Sequence, residues 1–352
     1  MHLAIIGSRA CGKTTLFVAM SGIPAGGPNR STAAVVDVPD ERVDRLSAVF
    51  HPRKTVYGRI EVCDTDSISE GDMKKEAVPA KQLQQMRLSD AFLVVLKDFD
   101  DGAPARPAAD FHSLLAEFII DDMVQIENRL ERIKKQGGKK EAPILEQEKA
   151  VLSQCLAHLD AGSPLSTLDL PGSDEKALRG FQFLSRKPLM VVVNRSEEAM
   201  GRSDADGVAA EAGAALLGAA PVISACASLE AELVMMAPDE RAAFMEEYGI
   251  AESLRGRLIR LAYETLGLIS FLTVGEDECR AWPIRKGMTA QEAAGAIHTD
   301  LSDRFIRAET VAYADFMRYG DFPACKKAGV WRLEGKQYVV QDGDILTIRA
   351  GN

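Results

Sequence analysis

The stretch Gly7-Ser8-Arg9-Ala10-Cys11-Gly12-Lys13-Thr14 constrains this chain more than any other. It satisfies Gly-x-x-x-x-Gly-Lys-Ser/Thr in full, directly after the apolar run Leu3–Ile6 and directly before the helical stretch Thr15–Met20. A buried strand, a glycine-rich turn and a helix in that order make a cradle for phosphate. The glycines let the backbone curl until its N–H groups converge on phosphate oxygens at a helix N-terminus. The motif therefore predicts that Arg9, Ala10, Cys11, Gly12, Lys13, Thr14 and Thr15 surround a nucleoside triphosphate. Lys13 is expected to bridge the β- and γ-phosphates, and the Thr14 hydroxyl to face Mg²⁺.

A phosphate loop of this kind needs a carboxylate on the metal side, at the end of a neighbouring strand. Asp64 closes the alternating segment Gly58–Asp64 and suits that role, with Asp66 close behind. Lys13 and Asp64 are thus the candidate catalytic residues. Further short apolar runs, Ala91–Leu96, Leu189–Val193 and Pro221–Ile223, alternate with helical stretches, which is the signature of a parallel α/β sheet covered on both faces.

The run Leu189–Val193 leads into Asn194-Arg195-Ser196-Glu197. GTPases built on this pattern carry Asn-Lys-x-Asp here, and the Asp accepts two hydrogen bonds from guanine. Glu197 is one methylene longer, which spoils that bidentate contact and lowers guanine selectivity. Asn194 and Arg195 remain candidate base-side residues, and Ser224-Ala225-Cys226 is expected to form the loop that closes over the base. The expected ligand is ATP, with GTP weaker.

Between 113 and 162 the periodicity changes. Leu115, Phe118, Ile119, Met123, Ile126, Leu130 and Ile133 recur at three- and four-residue steps, and Leu145, Leu152, Leu156 and Leu159 resume the stripe after a polar, glycine-containing break. This predicts an antiparallel helical hairpin with coiled-coil character, inserted in the α/β domain. Arg129, Arg132, Lys134, Lys135, Lys139 and Lys140 gather toward its tip, either as an RNA contact or as a solvated helix end. From Ile269 on, short strands and turns predict a small α+β module, with Tyr338–Val340 and Ile345–Ile348 read as a hairpin around Asp342-Gly343-Asp344. Basic and acidic residues nearly balance there, so no RNA-clamping charge is expected. His298 is read as a structural histidine.

The net charge of −10 disfavours a general polyanion-binding surface, and DNA is not expected as a partner. No apolar run approaches the roughly 18 residues of a membrane span, and the N-terminus lacks a signal-peptide pattern. The six cysteines are scattered without a Cys-x-x-Cys pair, which fits core packing in a reducing compartment. A cytoplasmic protein is expected.

Taken together, these residues resemble the YchF, or Obg-like ATPase, family over essentially the whole chain. The likeness is strongest in Arg280-Ala281-Trp282, Gly287, Ala293–Asp300, Phe305–Glu309, Tyr313–Phe316 and Asp342–Asp344, which read like that family's TGS module, a ubiquitin-like β-grasp fold. Val36–Leu46 looks like the family's stretch after its first switch, and Asn194-Arg195-Ser196-Glu197 matches its Asn-x-x-Glu. The resemblance implies an α/β fold: a P-loop NTPase domain (1–112 and 163–268) with an inserted helical hairpin (113–162) and a C-terminal TGS domain (269–352). It further implies an ATPase that engages the ribosome.

The chain departs from the family around the phosphate end. Arg9-Ala10 stands where Pro-Asn is usual, and Ala10 cannot help hold potassium as that Asn type can; Arg9 is expected to supply part of the missing charge. The first switch is shortened between Met20 and Val35, leaving Thr32 as the candidate second magnesium ligand. Asp-x-x-Gly reads Asp64-Thr65-Asp66-Ser67, so Ser67 keeps an N–H but restricts the backbone. Ile68 agrees with the family, whose members carry a hydrophobic residue where Ras-like proteins have a water-orienting Gln. The expectation is slow, partner-stimulated ATP hydrolysis; the alternatives are an ATP-holding scaffold or sensor that does not cycle, and a true GTPase.

Overall fold

The computed structural model describes residues 1–24, 32–75, 77–102, 104–135, 142–178, 180–199, 220–247 and 252–351. In chain order the elements that matter begin with β1 (His2–Ile6), α1 (Lys13–Ser21), β2 (Ala33–Val38), α2 (Glu41–Phe50), β3 (Lys54–Val56), β4 (Gly58–Asp64), α3 (Ala80–Leu88) and β5 (Ala91–Asp98). Next come α4 (Pro107–Lys135), α5 (Ala142–Asp160), α6 (Gly172–Leu178), β6 (Leu189–Arg195), β7 (Val222–Ala225), α7 (Ala227–Met235), α8 (Pro238–Glu247) and α9 (Leu254–Thr265). The remainder holds β8 (Leu268–Thr273), β9 (Glu278–Arg285), α10 (Ala290–Ile297), α11 (Thr299–Asp303), β10 (Phe305–Ala312), α12 (Tyr313–Tyr319), α13 (Phe322–Lys327), β11 (Arg332–Glu334) and β12 (Asp344–Ala350). Two compact units form: Met1–Ala34 with Glu61–Arg257, and Val35–Ile60 with Leu258–Asn352.

The first sheet has the order β2-β4-β1-β5-β6-β7, and β1 runs parallel to both β4 and β5. The continuous apolar runs explain this arrangement: β5 is buried from Ala91 to Lys97 and β6 along its whole length, so both faces are covered. Helix α1 is buried at Leu16, Phe17, Val18, Ala19 and Met20, too wide an apolar surface for an amphipathic surface helix, and it packs on α7.

Helix α4 begins at Pro107, ahead of the boundary the periodicity suggested at 113. Proline suits a first helical turn, and Phe111 is already buried in the core. Its first half lies on the sheet, where the rings of Phe118 and Phe92 are 5.3 Å apart. Its second half carries Ile126 and Ile133 into the same apolar cluster as Val151, Leu152, Cys155 and Leu159 of α5. Arg129 donates from Nε and Nη2 to the two Glu148 oxygens at 2.7 Å each, tying the helices together. Two buried carboxylates on α4 grip neighbouring backbone. Asp122 accepts from the amides of Leu184 and Ser185 at 2.8 Å each, just before β6. Glu117 accepts from Gly71 and Met73.

The second unit is a mixed sheet of order β11-β10-β12-β8-β9-β3 with a core on each face. Successive strand residues point to opposite faces. Leu272 and Ile345 join Val43 and Leu46 of α2 and Phe316 on one side. Phe271 and Leu346 join Ala290, Ala293 and Ala294 of α10 on the other. The segment Val35–Ile60 thus contributes a helix and an added parallel strand, β3 against β9, to this unit. The expected hairpin between Tyr338–Val340 and Ile345–Ile348 does not form. Strand β12 pairs with β10, and Val339 makes only an isolated bridge to Thr289. The reason is local: the Asp344 carboxylate accepts from the Gln341 amide at 2.9 Å and from the Tyr338 hydroxyl at 2.7 Å, curling the segment into a turn. His298 caps α11, its Nδ1 accepting from the Asp300 amide at 3.2 Å.

Candidate functional site

The carboxyl ends of the parallel strands share one rim, the usual place for a ligand in an open α/β sheet. Register sets Ile5 beside Asp64, Asp98 beside Arg195 and Asn194 beside Ala225. The loop leaving β1, the end of β4, the loop after β5 and the end of β6 therefore open into a cavity of about 810 Å³. That volume is within the range that holds small-molecule ligands.

The loop leaving β1 is built tightly. A Cβ on Gly7 would lie 2.5 Å from the Val95 carbonyl oxygen and 2.8 Å from Cys11 Sγ. Gly12, at φ +98°, precedes the first turn of α1, and a Cβ there would lie 2.1 Å from Asn194 Nδ2. Ala10 sits at φ +61°, a conformation costing a side-chain-bearing residue about 1–2 kcal/mol. Lys13 is buried, and its Nζ donates to Gly7 O at 3.1 Å, Ser8 O at 2.7 Å and Ser67 Oγ at 2.9 Å. Burial pushes its pKa down, opposed by Cys11, Asp64 and Asp66. Burial also pushes the Cys11 thiol up, toward its neutral form.

Thr14 Oγ1 donates to Asp64 Oδ2 at 2.8 Å, and both residues line the cavity. The Asp64 amide donates to the Thr32 carbonyl at 2.8 Å, which brings Thr32 to the same wall. A hydroxyl and a carboxylate are hard oxygen donors and suit Mg²⁺ better than a soft metal. Among the described residues no group of three or more His, Cys, Asp or Glu gathers as a self-sufficient metal site. This donor set fits a magnesium ion that takes its other ligands from phosphate and water.

After Asp64 the chain is pinned. Thr65 Oγ1 donates to the Ile5 carbonyl at 2.7 Å, and Gln82 Nε2 to the Asp66 carbonyl at 2.8 Å. Asp66 and Ser67 line the cavity, whereas Ile68 is 3% exposed and packs in the core. An apolar side chain turned inward cannot orient water.

At the other end Asn194 is a cross-brace. Its Nδ2 donates to the Cys11 carbonyl at 2.9 Å, and its Oδ1 accepts from the Ala227 amide at 3.0 Å. Arg195 is buried, with Nε donating to Asp98 at 2.9 Å. Glu197 is exposed and lines the cavity beside Ser196 and Glu198. The Glu198 carboxyl is held below its ordinary range by its own backbone amide and the Ser196 hydroxyl.

The structure brings Ala10, Gly12, Lys13, Thr14, Thr15, Thr32, Asp64, Asn194, Arg195 and Glu197 to one cavity. Arg9 is exposed and outside its lining, and Cys11 is buried behind it. Ser224, Ala225 and Cys226 do not line it either: Ala225 and Cys226 are seated in the core, and Ser228 takes the place expected of them. Sequence reading missed Phe99 and Asp100, which line the cavity directly after β5. An aromatic followed by acids at a strand end was the available signal. In the helical arm, Arg129 is consumed by Glu148 and Lys135 pairs with Glu131, while Lys139 and Lys140 lie outside the described residues.

Comparison with known proteins gives a consistent answer. The family model YchF-GTPase_C, described as a protein of unknown function (DUF933), matches residues 268–351. The chain is 36% identical to the "Ribosome-binding ATPase YchF" of Bacillus subtilis over 358 residues, covering 98% of each chain. It is 34% identical to the protein of the same name from Escherichia coli O157:H7, covering 97% of each. Among solved structures, the Schizosaccharomyces pombe YchF GTPase matches with a TM-score of 0.86 at 26% identity, covering 99% of this chain and 97% of that one. With its phosphate loop, its parallel sheet and full-length relatives above 30% identity in agreement, the chain belongs to the YchF family.

Proposed function

We propose that this chain is an ATPase that binds ATP with magnesium in the cavity at the end of β1 and acts on the ribosome. The observation that carries the reading is the pairing of Thr14 Oγ1 with Asp64 Oδ2 beside the buried Lys13, in a cavity walled by the Gly7–Thr14 loop. Relatives of this length are called ribosome-binding ATPases, which supports both the substrate and the partner.

In this reading Lys13 exchanges its loop carbonyls for phosphate oxygens and neutralises charge between the β- and γ-positions. Thr14, Asp64 and Thr32 would hold Mg²⁺, which supplies further neutralisation of the phosphates when bound. Glu197 selects against guanine, so GTP binds more weakly than ATP. The buried Ile68 leaves the nucleophilic water without a side-chain orienter, so hydrolysis is slow and gains from a partner. The arm of α4 and α5 and the C-terminal unit, taken as a TGS-type module, are the surfaces offered to that partner, in the cytoplasm.

A second reading, an ATP-holding scaffold that does not cycle, draws support from the pinning of the chain after Asp64. Single-turnover phosphate release, with and without ribosomes, separates the two. Slow release that ribosomes accelerate supports the ATPase; no release under either condition, with ATP still bound, supports the scaffold.

A further inference from the structure

The backbone that follows Asp64 does not hang from its own turn alone. Gly71 and Met73 direct their amides at one side chain from a different element, Glu117 on α4. The Gly71 amide donates to Glu117 Oε1 at 2.6 Å, and the Met73 amide to Oε2 at 2.7 Å. Glu117 is 2% exposed, so both oxygens are taken up by this contact away from bulk water. Charge-assisted bonds in such surroundings are strong and directional.

The receiving turn is shaped for the grip. Gly71 has φ +84°, the left-handed region that glycine enters freely. The Ser69 amide donates to Asp72 Oδ2 at 2.7 Å, and the Lys75 amide to the Gly71 carbonyl at 3.0 Å, which closes the turn around the two bonded amides. Upstream, Gln82 holds the Asp66 carbonyl at 2.8 Å, and Ile68 is anchored in the core. Thr65, Asp66 and Ser67 of this segment line the cavity, and Ser67 Oγ accepts from Lys13 Nζ at 2.9 Å. Lys13 marks the phosphate end of the cavity; the Ile68 amide holds the chain there on the Gly7 carbonyl at 3.3 Å, and Glu117 holds it beyond Ile68, at Gly71 and Met73.

We propose that Glu117 is a positioning residue that presents Ser67 to the terminal phosphate and makes α4 the element through which the helical arm acts on the nucleotide site. The proposal rests on the ATPase reading above. Because α4 is one continuous helix, Glu117 and Arg129, which ties α4 to α5, are separated by about 18 Å along its axis. A partner that shifts the arm acts on the Gly71 and Met73 amides through Glu117.

The coupling has a signature that a plain loss of stability lacks. Under this proposal Glu117 bears on the site only through Ser67, so its removal affects ATP and leaves ADP alone. The test uses the full chain as wild type, Glu117→Ala and Glu117→Gln, with calorimetric Kd values for ADP and for a non-hydrolysable ATP analogue, single-turnover hydrolysis, and amide hydrogen exchange at residues 68–75. Wild type should show slow exchange at Gly71 and Met73. Glu117→Ala should expose both amides and lower the hydrolysis rate about tenfold, a rise of ~1.4 kcal/mol in the barrier. Its ADP affinity should be unchanged and its preference for the ATP analogue over ADP reduced. Glu117→Gln keeps one acceptor oxygen and should fall between. Fast exchange at both amides in wild type, or a Glu117→Ala protein with wild-type rate and wild-type ATP-to-ADP preference, overturns the proposal while leaving the ATPase reading intact. Wild type that binds neither nucleotide overturns both.

Discussion

The carboxamide of Asn194 lies against Gly12, so close that a Cβ at Gly12 would come within 2.1 Å of Nδ2. The same carboxamide joins the Cys11 carbonyl to the Ala227 amide. One side chain at the end of β6 therefore sets the path of the phosphate loop and the start of α7. The glycine that the phosphate motif demands is also the glycine this brace demands.

Two substitutions probe that brace. Asn194→Ala leaves a buried amide and a buried carbonyl without their partner, a cost of about 1–3 kcal/mol for each group left unpaired. Gly12→Ala forces the loop and the carboxamide apart. Both variants should lower the urea midpoint of unfolding and weaken ATP binding at least tenfold, read by calorimetry. Wild-type affinity in Asn194→Ala would mean that the brace is dispensable.

Ala10 carries backbone strain that asparagine or glycine would relieve, since both visit positive φ more readily. Ala10→Gly should therefore stabilise the fold slightly or leave it unchanged, despite the flexibility it adds to the unfolded chain. Ala10→Asn should also gain a side-chain oxygen at the phosphate end. Turnover of the wild type is expected to be the same in potassium and in sodium, and that of Ala10→Asn to be higher in potassium. Arg9 is exposed and off the cavity wall, so Arg9→Ala should change neither. Strong potassium stimulation of the wild type would count against this.

Glu197 lines the cavity, and on the proposed reading its side chain is one methylene too long for a bidentate guanine contact. Shortening it with Glu197→Asp should raise GTP affinity relative to ATP. Competition between the two nucleotides for a fluorescent analogue measures the ratio, and no gain for GTP would remove the base-selection argument.

Burial pushes the Asp122 carboxyl up to about 7 from an ordinary 3.8, against the pull of Ser185 and the Leu184 amide. The folded chain thus holds a proton that the unfolded chain has released across that interval. The sign follows from linkage: this group's contribution to stability is fully present below the unfolded value and is lost as pH rises through the folded one. Urea unfolding between pH 4 and pH 8 should show this decline in the wild type. Asp122→Asn should be less stable overall, from the loss of one amide acceptor, and flatter in its pH dependence. Parallel profiles for the two proteins would assign the trend to other groups.

What could be read in the sequence depended on how local its cause was. The phosphate loop was legible because strand, glycines, lysine and helix are contiguous, and Asp64 because a strand visibly ends there. The cavity's Phe99, Asp100 and Ser228 were not, because their placement depends on which strands become neighbours. Glu117 gave no signal either: an acid in a helix stripe reads as a surface residue until the amides of Gly71 and Met73 are seen to face it. The turn at Tyr338–Val340 misled for a related reason. Its β-branched valines favour a strand, yet Asp344 folds it back. Likewise Val35–Ile60 precedes the Asp64 strand in sequence, while its apolar residues Val43 and Leu46 are buried in the C-terminal unit.

The most direct measurement is calorimetry of the full chain with magnesium and a non-hydrolysable ATP analogue, run on wild type and on Lys13→Ala. Wild type should bind one equivalent, and Lys13→Ala should bind at least a hundredfold more weakly, since it removes a buried ammonium whose counter-charge would be phosphate. Equal affinity in the two proteins would contradict the assignment of the Gly7–Thr14 loop as the nucleotide site.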